Sequence, residues 1–431
     1  MKKVVLSMAG LLAAIAFAPE ASAVPAFARQ MGVACNTCHY QHFPLLNSFG
    51  RAFKSSGFTM MGTEGKIEGD DLSIPNQLNI TAFATTGYQN ISNATAGTSS
   101  GKYLMPNGGG ELSLFFGGRI SDSAGFLSEL SFPDANSGGS SAKLPLLWDV
   151  GNGVRVGIVP MANKAPAWSF ELLNTGAVST HLMMINNGFA NSVSGGAGAH
   201  ANSLSAAQYL GTNAAGNGAS FVATGNMGFV NIGKYSINNL LSGIAVPGAN
   251  NPTDSNALNT TYARGAFLFD VGGWDSAVGV QSFSGSDGTA GGTGADTKAT
   301  IIDGQMQGAA GGMPLGIYAS YGVAPVNAGN ILGNAYNSGG ITDKKSFNIA
   351  GELGVLPRTT LQLAYRSGKN GGAAGAEGDN AYTLGATYLM AQNMNLSLAY
   401  TANSGSAYDA AALVGPVMGK TVTTLLLAVA F

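Results

Sequence analysis

From about residue 75 to the end, apolar and polar positions alternate with a period of two. Met394, Leu396, Leu398 and Tyr400 interleave with Asn395, Ser397, Ala399 and Thr401. Leu361, Leu363 and Tyr365 interleave with Gln362, Ala364 and Arg366. Phe347, Ile349, Gly351 and Leu353 interleave with Asn348, Ala350, Glu352 and Gly354, and Leu112, Leu114 and Phe116 with Glu111, Ser113 and Phe115. The last stretch places Leu425, Leu427, Val429 and Phe431 on one face. Successive side chains of a strand point to opposite faces, so this pattern predicts strands with one apolar and one polar side.

The connections fall into two kinds. Short turns are expected near Gly151-Asn152-Gly153, Leu356-Pro357-Arg358 and Ala391-Gln392, and long Gly/Ser/Asn/Ala stretches near 89–109, 184–217, 236–258, 324–344 and 402–420. Short turns on one side and long loops on the other characterise outer-membrane barrels. Counting strands gives 16 if residues 166–183 stay out of the wall and about 18 if they add a pair; we expect 16. An even count puts both barrel ends on the periplasmic side.

Composition supports a wall facing lipid. Charged residues are 10% of the chain, against roughly 25% in soluble domains. Glycine is abundant, at 64 of 431 residues. After the first 23 residues no apolar run reaches the ~18 residues that a spanning helix requires. A soluble sandwich would turn its apolar face into a core and expose more charge. The expected fold is therefore an all-β transmembrane barrel of about 16 antiparallel strands.

The N-terminus differs. Lys2 and Lys3, an apolar run from Val4 to about Phe17, and Ala21-Ser22-Ala23 have the order of a cleavable secretory signal, residues 1–23. The remainder carries 18 basic and 21 acidic residues, net −3, which excludes a basic nucleic-acid-binding surface.

Immediately downstream lies Cys35-Asn36-Thr37-Cys38-His39, the Cys-x-x-Cys-His attachment pattern of a c-type haem. Both cysteines of the chain are used in it. In this reading Cys35 and Cys38 form thioethers to one covalent haem c, and His39 ligates the iron from the proximal side. A thioredoxin-like pair wants a βαβ setting, and a zinc site wants more soft ligands than His42 alone. The spacing of Leu45, Leu46, Phe49 and Phe53 predicts a helix over about 44–56, with Pro44 at its first position and Gly57 just past its end. Phe27, Phe43 and Phe58 are expected to complete a haem wall. Met60, with Met61 as its alternative, is the expected distal ligand; Met31 and His42 compete. Arg29, Arg51 and Lys54 are candidates for the haem propionates. The domain division is 1–23 signal, 24–74 monohaem cytochrome and 75–431 barrel. A single haem at the barrel mouth would lie too far from the outside, because the hydrocarbon core is about 25–30 Å thick. The haem segment is therefore expected inside the barrel.

Taken together, Pro25-Ala26-Phe27-Ala28-Arg29-Gln30, the haem motif, Pro44-Leu45-Leu46-Asn47-Ser48-Phe49-Gly50-Arg51-Ala52-Phe53-Lys54 and Gly57-Phe58-Thr59 resemble the fused monohaem cytochrome–porins of iron-oxidising bacteria. Leu144-Pro145-Leu146-Leu147-Trp148-Asp149 and Phe170-Glu171-Leu172-Leu173-Asn174-Thr175-Gly176-Ala177 are similar too. The likeness spans most of the mature chain and is most specific over residues 25–59. It implies an outer-membrane protein, embedded in lipid, that oxidises extracellular Fe(II). Single electrons would pass through the haem to a periplasmic cytochrome or other carrier. It carries over Cys35, Cys38 and His39, and identifies no iron-docking residue. Glu111, Glu129, Asp149, Glu171 and Glu352 offer hard oxygen donors for transient iron. Each has a structural alternative as the partner of a lumen arginine such as Arg119, Arg155 or Arg366. One-electron transfer needs no general base or nucleophile. A transport porin plugged or gated by the haem segment, and an adaptor to another surface cytochrome, are the competing readings.

Overall fold

The computed structural model describes residues 25–70, 72–92, 112–134, 137–176, 205–212, 216–237, 258–287, 294–330, 332–391, 393–409 and 421–431. The signal segment, Glu111, His181 and His200 lie outside the described residues. So does much of the long connections.

The N-terminal part forms three short helices, α1 (Pro25–Met31), α2 (Cys35–Cys38) and α3 (Ser48–Ser55), then a small hairpin of β1 (Lys66–Gly69) and β2 (Leu72–Pro75). The wall follows in chain order: β3 (Ile80–Ser92), β4 (Leu112–Arg119), β5 (Gly125–Asp134), β6 (Ser137–Lys143), β7 (Leu146–Gly151) and β8 (Val154–Ala162). After two short inner helices, α4 (Pro166–Ser169) and α5 (Ala206–Leu210), come β9 (Asn217–Gly225), β10 (Gly228–Ser236), β11 (Thr260–Val271), β12 (Trp274–Ser284) and β13 (Ala299–Ala310). The chain ends with β14 (Met313–Ala324), β15 (Lys344–Leu356), β16 (Thr359–Asn370), β17 (Asn380–Ala391), β18 (Met394–Ser404) and β19 (Thr421–Ala430).

Every neighbouring pair is antiparallel, and β19 closes on β3 with Thr421 opposite Ser92 and Ala430 opposite Phe83. Strands β6 and β7 form one stave, broken at Leu144-Pro145, because both pair with β8. The described wall therefore has the 16 staves expected from the sequence. Residues 166–176 lie inside it, so the stretch set apart from the wall is confirmed as far as it is described.

The alternation sorts the faces as expected. Leu363, Leu384 and Ile302 are 57%, 59% and 58% exposed, whereas Asn348, Glu352 and Arg366 are buried on the inner side. Tight turns sit at one end: Val271 pairs with Trp274 across Gly272-Gly273, and Ala310 with Met313 across Gly311-Gly312. All four of these glycines have positive φ, the backbone that two-residue hairpins with right-handed twist require. Asn152 and Gly153 do the same between β7 and β8. Phe431 N–H donates to the Ala82 carbonyl, so the C-terminus and the start of β3 share that turn end. Outward aromatics on the loop side include Tyr321, Phe347, Tyr382 and Tyr400, and Trp148 and Phe267 face outward toward the turn side. Among the described residues no helix is long and apolar enough to cross a membrane.

Candidate functional site

Three segments occupy the lumen. Residues 25–62 lie toward the turn end and touch the wall around much of its circumference. The Ala26 N–H donates to Thr81 Oγ1 at 3.0 Å, Ser55 and Thr224 hydroxyls are 2.9 Å apart, and Arg155 donates to the Ser56 carbonyl at 3.0 Å. On the opposite wall Arg51 is salt-bridged to Asp275, and Tyr40 donates to the Gly308 carbonyl. His42 Nε2 is 2.7 Å from Glu352 Oε2. Farther in, Phe170, Leu172 and Leu173 pack on Leu147, Val159, Val222 and Phe229. Toward the loop end α5 packs among Tyr235, Tyr262, Phe283 and Tyr336.

Helix α3 begins later than the periodicity predicts. Asn47 caps it, its Oδ1 accepting from Gly50 N–H at 2.9 Å, and the Phe43–Pro44 peptide, which is cis, precedes it. Residues 45–46 are held extended instead. The Leu45 carbonyl accepts from Tyr40 N–H at 2.9 Å, and Leu46 exchanges hydrogen bonds with the Asn174 side chain at 2.8 and 3.0 Å. These tertiary bonds override the helical spacing. At the other end Gly57 has φ +72°, as expected of the residue after a helix. A Cβ on Gly50 would collide with the carbonyl oxygen of Cys38, so α3 lies directly against the Cys-x-x-Cys turn.

A cavity of about 500 Å³ opens between this segment and the wall. Cys35, Cys38 and His39 all line it, together with Phe27, Met31, Phe43, Phe53 and Phe58. The wall contributes Phe83, Phe115, Leu127 and Ala428. Phe83 and Phe115 lie on the lumen face, where polar residues are the rule, and Phe83 stacks toward Phe43 at 6.2 Å between centroids. An apolar patch inside a polar lumen is the departure from pattern that marks the site.

Its chemistry separates the possible roles of the two cysteines. Burial pushes the Cys35 thiol up to about 11; its own backbone N–H opposes the shift and Cys38 adds to it. A redox-active pair needs the opposite, a lowered thiol. Among the described residues no group of three or more His, Cys, Asp or Glu can hold a metal ion, which leaves zinc without a ligand set. His39 Nδ1 lies 3.1 Å from the Leu45 carbonyl. That acceptor fixes the proton on Nδ1 and leaves Nε2 with a free lone pair, the arrangement of a metal-ligating imidazole. Burial lowers its pKa to about 4, so the ring is neutral at pH 7; Leu45 opposes the shift and His42 adds to it. Lys54, Lys143, Lys164, Glu129, Asn393 and Asn395 add polar side chains to the cavity rim. A covalently tethered macrocycle with polar edge groups fits this donor set, this apolar wall and this polar rim.

The remaining sequence candidates are placed as follows. Met31 lines the cavity; Met60 packs against the Met31, Phe53 and Phe58 cluster, and Met61 is half-buried. Arg29 is engaged by the Ile80 carbonyl and Arg51 by Asp275, so neither is free for propionates; Lys54 does line the cavity. Of the acidic candidates, Glu129 pairs with Lys164 at 2.9 Å and Glu171 with Arg264 at 3.0 Å, while Glu352 faces His42. Asp149 Oδ1 accepts from Gly151 N–H at the turn end. The structural alternative thus holds for these four, with partners other than the expected arginines: Arg366 binds Asp379, Arg119 binds Asp122, and Arg155 binds the Ser56 carbonyl. Sequence reading missed Lys143, Lys164 and Trp168, which reach the cavity from across the chain.

No family model matches the chain, and no curated protein does. Solved structures similar to it are porin-like barrels. A loop-deletion mutant of OmpT, an outer-membrane protein of Vibrio cholerae, is 12% identical, with a TM-score of 0.47 over 82% of this chain and 99% of that one. A mutant of the Rhodopseudomonas blastica porin is 14% identical, with a TM-score of 0.44 over 82% of this chain and all of that one.

Proposed function

We propose that this chain is an outer-membrane cytochrome–porin that oxidises extracellular Fe(II) and passes single electrons through one covalent haem c to a periplasmic carrier. The observation that carries the reading is the convergence of Cys35, Cys38 and a tautomer-fixed His39 on one apolar cavity inside the barrel. The outward apolar face of the wall suits lipid. When bound, the haem supplies a one-electron centre held within the membrane's thickness. The protein's share is to anchor it by two thiols, to offer a neutral Nε2, and to exclude water with the phenylalanine wall; burial and hydrogen bonds then set the potential.

The test is an anaerobic visible spectrum of the detergent-solubilised protein before and after Fe(II). A reduced c-type spectrum appearing with Fe(II) is expected. Reduction by dithionite but not by Fe(II) would favour the plugged porin or the adaptor. Absence of covalent haem would remove the premise.

The distal ligand follows from the same wall. Met31 joins Met60 and Met61 as a thioether candidate because it lines the cavity. Met31→Leu, Met60→Leu and Met61→Leu are each expected to leave the haem attached. Only the variant lacking the true ligand loses the methionine–iron charge-transfer band and drops in potential. Retention of the band in all three would exclude thioether ligation from these positions.

A further inference from the structure

One wall of the cavity has no role in anchoring a haem at Cys35 and Cys38. Three lysines reach it from separate elements: Lys54 from α3, Lys143 from the end of β6, and Lys164 from just beyond β8. Lys164 Nζ is 2.9 Å from Glu129 Oε2 and lies 5.4 Å over the Trp168 ring. Lys143 Nζ donates to the Trp168 carbonyl at 2.7 Å and lies 5.5 Å from the centre of the Phe58 ring. Neither of those partners carries a negative charge. The Lys54 ammonium makes no hydrogen bond or ion pair among the described residues. The cavity lining thus holds three lysines and one carboxylate, an excess of two amines facing phenylalanines; Glu171, bound to Arg264, acts on Lys54 from beyond the lining. Buried charge is costly unless paired. Burial pushes Lys54 down to about 8; Glu171 opposes the shift and Lys164 adds to it. An excess of lysines on one wall calls for a ligand bearing two carboxylates.

We propose that Lys54 and Lys143 form the seat of the two haem propionates, with the Lys164–Glu129 pair closing its rim. This rests on the covalent-haem reading above. Two propionates carry the charge that balances the surplus. A positive charge beside the haem favours the reduced iron, so removing either lysine shifts the couple toward the oxidised form.

Full-length Lys54→Gln, Lys143→Gln, Lys143→Arg and Trp168→Phe proteins in detergent test it, with three readouts. These are in-gel detection of covalent haem, the propionate bending band in resonance Raman spectra, and the midpoint potential by spectroelectrochemistry. The haem is expected to stay covalent in all four. In both glutamine variants the bending band shifts and the reduction equilibrium falls about tenfold, which is 59 mV for a one-electron couple. Lys143→Arg restores both, and Trp168→Phe, which keeps the carbonyl that Lys143 binds, leaves both in place. Covalent haem with band and potential unchanged in the glutamine variants overturns the seat and leaves the haem reading standing. A wild-type protein without covalent haem overturns both.

Discussion

Replacing His39 by alanine abolishes Fe(II)-driven haem reduction while barrel assembly and the two thioethers survive. The loss expected in the anaerobic reduction rate is at least about 100-fold, the upper end of what even outer partners of a metal ligand contribute. His39 is tied to the Leu45 carbonyl and stands on the cavity wall beside both cysteines, and no wall strand depends on its ring. A variant that accepts electrons from Fe(II) at the normal rate would remove His39 from the ligand role. The same geometry sets a pH window. An unfolded histidine takes up a proton near 6.5, whereas burial holds this one neutral to about 4. The folded chain binds fewer protons than the unfolded one between these values, so this group's contribution is intact above about 6.5 and is lost as pH falls toward 4. A haem iron held at Nε2 would compete with the proton and extend that range. The histidine-ligated spectrum of the wild type should therefore persist in a visible pH titration down to about pH 4. Loss of that spectrum near pH 6 would contradict the buried, carbonyl-backed ring.

What the sequence disclosed and what it withheld divide along the range of the forces involved. Wall strands were legible because facing is a local property. Asn348 and Glu352 on β15, or Leu361 and Leu363 on β16, take their side of the sheet from parity alone. The glycine-marked turns and the exclusion of residues 166–176 from the wall are likewise short-range. The Cys35, Cys38 and His39 constellation was legible because it falls within five consecutive positions. Helix α3 was only partly so: its apolar spacing is real, but Asn174, some 128 positions away, captures Leu46 and holds the chain extended. The cavity wall was hidden for the same reason. Phe83, Phe115 and Leu127 sit on strands whose inner face is otherwise polar, and their oddity has meaning only once residues 25–62 are folded back beneath them. Charge partners were the least legible. Arg51 finds Asp275, and Glu171 finds Arg264, across sequence distances that no local pattern encodes.

Arg264 gives the second large effect. Its guanidinium, fully buried on β11, donates to Glu171 at 3.0 and 3.2 Å and to Asp303 at 2.7 and 2.9 Å. Glu171 Oε1 also accepts from the Leu172 and Leu173 N–H groups, and Thr175 Oγ1 donates to Asp303 at 3.0 Å. One arginine thus latches the inner segment 170–176 to the wall at two acidic residues. Arg264→Met leaves two buried carboxylates facing each other without a cation, a loss of about 3–5 kcal/mol for breaking a buried ion set from one side. The expected result is a clear fall in the temperature at which the folded barrel band disappears on heat-modifiability gels. Planar-bilayer conductance should rise as residues 170–176 leave the lumen. Combining Arg264→Met with Glu171→Gln and Asp303→Asn removes the unpaired charge, and most of the thermal loss should be recovered. Conductance need not recover with it, because the latch itself is gone. That separation is informative about function. A plug held by a buried ionic latch, rather than by rim contacts, keeps the lumen filled, which the proposed electron transfer through a fixed centre would need. If Arg264→Met neither lowers the transition nor opens the lumen, the inner segment is held by its apolar contacts with Leu147, Val222 and Phe229 alone, and the latch carries no weight in closing the barrel.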